Sequence, residues 1–250
     1  MAEEVTAALE ARQVCKNYGG LRAVDGVSFR VGAGEVLGIV GPNGAGKTTL
    51  FNVLTGHTRA TSGDVLLNGN PVTTAPVHRR TQLGLARTFQ QPTVAQSLTV
   101  AENMVLATSF RRGGRKEAAE VAARYLEFTA LSRQADVECG PLGVFDKKKL
   151  MLGTALASGA KVLLLDEPFG GLSAAEIDYT MELIRHARDD GVAVVCIEHI
   201  MRALTALADR VLVMHHGAML FTGTPVEMLA DDRVIEVYLG ARHKKGGGAA

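Results

Sequence analysis

At 250 residues the chain is long enough for one large domain carrying inserted subdomains, and an apolar share of 47% supplies a sizeable core. A formal net charge of +1 speaks against a polyanionic partner such as nucleic acid. No apolar run approaches the roughly 20 residues that span a bilayer, so the chain is expected to be soluble and to reach any membrane through a partner.

The N-terminus, Met1-Ala2-Glu3-Glu4, is acidic and lacks the basic-then-apolar pattern of a secretion signal. Leu9 to Cys15 alternates as a strand, Gly26 to Val31 reads as another, and Glu35-Val36-Leu37-Gly38-Ile39-Val40 reads as a buried one. Directly after it, Gly41-Pro42-Asn43-Gly44-Ala45-Gly46-Lys47-Thr48 fits G-x-x-x-x-G-K-[ST], the phosphate-binding P-loop. Its glycines let the backbone turn tightly, so that N–H groups face phosphate oxygens. Lys47 brings a positive charge to the β- and γ-phosphates, and Thr48 offers a hydroxyl to Mg²⁺. Thr49-Leu50-Phe51-Asn52-Val53-Leu54 reads as the start of a helix, whose N-terminal dipole adds partial positive charge.

Further along, Asn68-Gly69 between apolar runs predicts a hairpin over 65–72. From Val100 to Leu131 the pattern turns helical, with Ala101–Ala107 and Glu117–Ala130 separated by a break at Gly113-Gly114. Lys161–Leu165 reads as a strand, Ala174–Asp189 as a helix, Val192–Ile197 as a strand and Met201–Ala208 as a helix. Arg210–Met214 and Ala218–Thr222 follow as strands around His216-Gly217. Strands alternating with helices imply a parallel sheet covered by helices, with the helical block inserted between the P-loop and the next core strand. The basic runs Arg111-Arg112, Lys147-Lys148-Lys149 and Lys244-Lys245 are expected on solvated faces. Cys15, Cys139 and Cys196 have neither metal spacing nor a disulfide framework, which suits a reducing cytosol.

The apolar strand Val162-Leu163-Leu164-Leu165 ends in Asp166 and Glu167. At the C-terminal edge of a parallel sheet, Asp166 would lie beside the P-loop and hold Mg²⁺ directly or through water. Glu167 would polarise a water for in-line attack on the γ-phosphate. His199, at the end of the next strand, reads either as a loop histidine capping a helix or as a group reaching the γ-phosphate.

The ordered set of P-loop, Thr88-Phe89-Gln90, helical insertion, Asp166-Glu167-Pro168 and Ile197-Glu198-His199 resembles the ATP-binding subunit of an ABC transporter. The resemblance covers about Leu9 to Gly240. It implies an α/β fold: a P-loop NTPase (RecA-like) core with a parallel sheet, an N-terminal antiparallel β-subdomain and an inserted α-helical subdomain. One domain would span 1–240, with the helical part at about 91–158 and a flexible tail at 241–250. It implies ATP and Mg²⁺ as cofactors, with Gln90 reaching the metal and the attacking water, His199 as the switch histidine, and Tyr18 stacking on adenine. The nucleotide-binding set is then Tyr18, Gly41, Pro42, Asn43, Gly44, Ala45, Gly46, Lys47, Thr48 and Thr49. The metal set is Thr48, Gln90 and Asp166, and the catalytic set is Glu167, His199 and Gln90. The implied partners are transmembrane permease subunits, a second ATPase subunit and, indirectly, an extracytoplasmic solute-binding protein, with the chain at the cytoplasmic face of the cell membrane.

Tyr18 to Val24, Gly84 to Gln90, Ile197 to Met201, Gly223-Thr224-Pro225 and Val237-Tyr238-Leu239-Gly240 resemble the branched-chain amino acid importer ATPases. Lipopolysaccharide-export ATPases end similarly, but usually carry Leu-Pro-Gln where this chain has Thr88-Phe89-Gln90, which favours the importer. A translation factor would carry two ATPase units or a long coiled-coil insertion. A P-loop kinase would need a substrate lid and no counterpart of Gln90 or His199.

The family signature Leu-Ser-Gly-Gly-Gln falls here on Leu142-Gly143-Val144-Phe145-Asp146. Gly143 has no hydroxyl for the γ-phosphate held by an opposite subunit. Phe145 is bulky where close backbone approach is expected. Asp146 would bring negative charge near phosphate unless it caps the helix. The loss of one charge-assisted hydrogen bond costs roughly 1.5–3 kcal/mol. Ser173 stands where the following loop usually has aspartate. Two explanations stay open: pairing with a different ATPase, or a modified signature that still binds ATP. A nucleotide-gated subunit with little turnover is the non-enzymatic alternative.

Overall fold

A computed structural model of the chain describes residues 7–109 and 114–243. Arg111, Arg112, Gly113 and the tail from Lys244 onward, each part of an expectation above, lie outside the described residues.

Two sheets organise the chain. The smaller is antiparallel and is built from β1 (Leu9–Tyr18), β2 (Leu21–Val31), β4 (Ser62–Leu67) and β5 (Asn70–Pro71) in the order β2-β1-β4-β5. Both β1 and β2 run longer than the apolar alternation indicates, because Gly26 takes a left-handed conformation (φ 63°) and the pairing shifts register there. The Asn68-Gly69 hairpin forms as expected, with φ of 47° and 75° at its two turn residues.

The larger sheet contains β3 (Val36–Val40), β6 (Leu85–Arg87), β7 (Val162–Asp166), β8 (Ala193–Ile197), β9 (Arg210–His215) and β10 (Ala218–Gly223), ordered β10-β9-β3-β8-β7-β6. All neighbours are parallel except β9 and β10. Every residue of β3, β7 and β8 is buried, as expected of strands covered on both faces. Their side chains alternate between two cores. Leu164, Val195 and Ile197 join Phe51 and Leu54 of α1 (Lys47–Thr55) and Leu9, Val14 and Phe29 of the antiparallel sheet. Leu163, Leu165, Val194 and Cys196 face Met181 and Ile184 of α6 (Ala174–Asp189), together with Leu152 and Leu156 of α5 (Val144–Ala157).

The three-residue strand β6 changes the expected order. It joins the core sheet before the helical block, so α3 (Val100–Thr108), α4 (Arg115–Phe128) and α5 are inserted between β6 and β7 rather than straight after the P-loop unit. These helices share their own core of Val100, Met104, Ala122, Leu126 and Leu150. Four short or late helices complete the chain: α2 (Val77–Gln82), α7 (Met201–Leu207), α8 (Pro225–Ala230) and α9 (Asp232–His243). The last of these continues beyond residue 240, where the tail was expected to begin. Lys148 and Lys149, expected on a solvated face, are buried in α5.

Candidate functional site

The site lies at the C-terminal ends of the parallel strands, where α/β sheets hold ligands. Between β3 and α1 the backbone passes through Gly41 (φ 151°) and Gly46 (φ 99°). A Cβ at Gly41 would overlap the Met214 carbonyl oxygen, and one at Gly46 the Ala23 carbonyl oxygen. Only glycine fits at either point. The turn wraps an open cavity of about 590 Å³, lined by Asn43 through Thr49 together with Tyr18, Glu167, His199 and His216. Tyr18, at the end of β1, is half exposed, and the Lys16 ammonium stands 4.8 Å from its ring centroid. Lys47 is folded back on the loop, donating to the Gly41 carbonyl at 2.7 Å and the Pro42 carbonyl at 3.1 Å. Burial lowers its pKa, while Glu167 and Asp166 act against that shift.

Glu167 follows β7 in a left-handed conformation (φ 49°), a costly one for a side chain with a Cβ. Its carboxylate is held from both sides. Gln90 Nε2 donates to Oε2 at 2.6 Å, and His199 Nε2 lies 2.8 Å from Oε1. The three residues expected to be catalytic therefore meet, although Gln90 and His199 come from different loops. The strand before His199 stops at Ile197, so Glu198 and His199 sit in the loop leading to α7.

Asp166 is the last residue of β7 and is buried. Its Oδ2 accepts a hydrogen bond from Arg87 Nη2 at 2.7 Å, whereas Oδ1 has no hydrogen-bond partner among the described residues. Thr48 Oγ1 and Gln90 Oε1 are likewise without one. Three oxygen donors fit Mg²⁺, a hard cation that is commonly held by one or two carboxylates plus nucleotide phosphates. Among the described residues there is no group of three or more His, Cys, Asp or Glu side chains that could hold a metal.

The degenerate signature, Leu142 to Asp146, opens α5 away from this cavity. Gly143 is the N-cap with extended backbone (φ −63°, ψ 162°), and no side chain caps the helix. Phe145 turns onto Tyr179 of α6, with ring centroids 5.8 Å apart, and Lys149 sits 4.8 Å over its ring. Asp146 does not cap α5; it pairs with Lys149 Nζ at 2.9 Å and accepts from Gln134. The charge that would oppose phosphate is thereby compensated. Ser173 is the N-cap of α6, in a capping box with Glu176.

Three site residues were not singled out from the sequence. Arg87 anchors Asp166. Lys148 donates to the carbonyls of Glu167 and Pro168, both at 3.0 Å, tying the signature helix to the loop after β7. Glu198 is buried and accepts from the backbone N–H groups of Phe169, His199 and Ile200, so it fixes the loop that presents His199. For Glu198 the available signal was a charged residue directly before a predicted site residue, His199.

Comparison with known proteins identifies the family and the fold. A family model described as ABC transporter matches residues 24–170, and one described as branched-chain amino acid ATP-binding cassette transporter matches 218–244. The chain is 35% identical to the high-affinity branched-chain amino acid transport ATP-binding protein BraF of Pseudomonas aeruginosa, over 93% of this chain and 97% of the relative. It is 32% identical to the lipopolysaccharide export system ATP-binding protein LptB of Escherichia coli, over 94% and 98%. The crystal structure of an ATP-binding cassette of an ABC transporter in its ADP conformation superposes with a TM-score of 0.84 at 28% identity, covering 94% of this chain and 99% of the other.

Proposed function

Because the chain belongs to the ABC transporter family of ATP-binding cassettes, we propose that it is the ATP-hydrolysing subunit of an importer for branched-chain amino acids or related small solutes. The observation carrying the substrate class is the match of residues 218–244 to the branched-chain amino acid cassette model, alongside the likeness to BraF. The chain would work in a dimer of cassettes, docked on transmembrane permease subunits at the cytoplasmic face. Among the described residues no helix is long and apolar enough to cross a membrane.

The residues divide the chemistry as follows. Tyr18 stacks on the base, and the N–H groups of the Gly41–Thr49 turn receive the phosphates. Lys47 leaves the Gly41 and Pro42 carbonyls for the β- and γ-phosphates, regaining anionic partners that favour its charged form. Thr48, Asp166 and Gln90 hold Mg²⁺, which when bound neutralises charge developing on the phosphates. Glu167 accepts the proton of the attacking water. A carboxylate has about four lone-pair positions, so it can take that bond while Gln90 and His199 keep it aimed. Closure of the dimer follows from the extra contacts that ATP makes in the closed state.

The likeness to LptB supports a second reading, an exporter ATPase, against which stands Thr88-Phe89-Gln90 in place of Leu-Pro-Gln. Gly143 in the signature supports a third, a weakly active member of a heterodimer. ATP hydrolysis by the purified chain, alone and mixed with a second cassette, with Glu167→Gln as control, separates these. Activity alone that vanishes in the variant is expected for a homodimeric site, and activity only in the mixture for an obligate heterodimer. Binding without turnover in either setting would overturn the enzymatic reading. Vesicles carrying the permease then decide the substrate: failure to take up labelled leucine, isoleucine or valine would overturn the branched-chain amino acid assignment and leave a related small solute.

A further inference from the structure

The Arg87 side chain bonds and stacks on four residues around the site, and neither the P-loop nor the catalytic carboxylate explains it. Its guanidinium is almost fully buried. Nη2 donates to Asp166 Oδ2 at 2.7 Å, and Nη1 donates to Asn52 Oδ1 of α1 at 2.7 Å. The guanidinium carbon stands 5.5 Å from the ring centroid of Phe51 on α1 and 4.9 Å from that of Phe89, the neighbour of Gln90. Nε is buried without a hydrogen-bond partner. One planar cation thus touches the helix that starts at Lys47, the carboxylate at the end of β7 and the loop that carries Gln90. A lysine could not make these contacts at once.

Resting on the reading of Asp166 as a metal-holding residue, we infer that Arg87 is a positioning residue that acts as the resident counter-cation of Asp166 and competes with the metal for that carboxylate. The buried Asp166 needs a cation whenever no metal is bound, since an unpaired charge there is strongly destabilising. Arg87 supplies it at Oδ2 and leaves Oδ1 without a hydrogen-bond partner among the described residues. A divalent ion arriving at Oδ1 weakens the hold of Arg87 on Oδ2. Because the same guanidinium stacks on Phe89, that change reaches the Gln90 loop directly.

The test titrates Mn²⁺ into the full chain carrying a fluorescent ATP analogue loaded without metal. Arg87→Met should bind Mn²⁺ about tenfold more tightly than wild type, because a competing unit charge has gone. Mn²⁺ should also raise the Tm of the variant more than that of wild type. Unchanged or weaker Mn²⁺ binding overturns the inference, as does a lower Tm that Mn²⁺ does not recover. Should Arg87→Met fail to fold, Arg87→Met/Asp166→Asn has no unpaired charge and is compared with Asp166→Asn alone. Equal Mn²⁺ affinity of these two is expected if Arg87 acts through Asp166, and a difference overturns it. Failure of wild type to bind the metal-free analogue would instead strike the nucleotide-site reading itself.

Discussion

His199 Nε2 lies 2.8 Å from Glu167 Oε1, which places a ring from the loop after β8 against a carboxylate from the end of β7. The opposite oxygen is taken by Gln90, so Glu167 is clamped by two side chains that, among the described residues, make no hydrogen bond to the P-loop. Replacing His199 by Ala frees one side of the clamp without disturbing the phosphate cradle. Single-turnover hydrolysis should fall about 10²- to 10³-fold, in the range seen when one preorganised polar group is lost. Affinity for a non-hydrolysable ATP analogue should change less than about threefold, since that group acts mainly in the transition state. A parallel loss of binding and turnover would mean that His199 shapes the cavity rather than the attack.

Gly143→Ser restores the hydroxyl that the signature lacks. A Cβ at Gly143 meets no atom within 4 Å, and the backbone is already extended, so the substitution brings no strain. The helix behind it is ready: Phe145 lies on Tyr179 and Asp146 is paired with Lys149. One charge-assisted hydrogen bond of roughly 1.5–3 kcal/mol converts to about a tenfold or greater gain in ATP-dependent dimerisation. Sedimentation of the Glu167→Gln background, with and without Gly143→Ser, measures it. No gain would mean that α5 does not face the partner's nucleotide in the way the family arrangement implies.

The parts of this site that were legible in the sequence are those whose chemistry is local. The P-loop has fixed spacing between a buried strand and a helix. Asp166 and Glu167 end an apolar run, and the β4–β5 turn announces itself as Asn68-Gly69. Arg87 was not legible, because β6 is three residues long and its partner Asp166 is distant in the chain. Lys148 and Lys149 sit in a run of three lysines and looked solvated. Packing overrides that composition: α5 runs beneath the loop after β7, where one lysine finds two carbonyls and the other an aspartate and two aromatic rings. The role of Phe145 likewise depends on Tyr179, which sequence spacing cannot place. His199 needed the family resemblance, since a histidine after a strand has many ordinary explanations.

Arg80 is fully buried and, among the described residues, pairs with no carboxylate. It donates to the carbonyls of Val53 at 2.8 Å, Leu54 at 2.6 Å, Thr73 at 2.9 Å and Ala75 at 2.9 Å. Burial pushes its pKa down to about 10. Val53 and Leu54 lie in the last turn of α1, which has no basic residue of its own; the Val53 carbonyl also accepts from the Gly56 N–H at 3.2 Å, so Arg80 adds a second donor there, supplies one to Leu54 and answers the negative end of the dipole. Arg80→Met leaves several of these carbonyls unsatisfied. A loss of about 3–5 kcal/mol is expected from unmade bonds to a charged group, or a Tm lowered by roughly 10 °C or more. Calorimetry checks it; a shift within about 2 °C would show that water replaces the guanidinium.

Glu10 gives the stability a defined acid limb. Its carboxylate accepts from Arg12 Nη2 at 2.8 Å and from Arg30 Nε at 2.7 Å. The Arg12 hydrogen bond is the largest cause holding its pKa down to about 2 from 4.5; burial opposes it and Arg30 reinforces it. A carboxyl whose pKa is lower in the folded state stabilises the fold above its unfolded value and loses that contribution as pH falls through the folded one. Both arginines are more than half exposed, so solvent screening limits the contribution to about 1 kcal/mol. Wild type should therefore exceed Glu10→Gln in Tm by a few degrees near neutral pH. The gap should begin to narrow below about pH 4.5, close near pH 2, and shrink at 1 M salt. A gap that stays constant across this range would assign the effect to packing of the β1 side chain instead of to its charge.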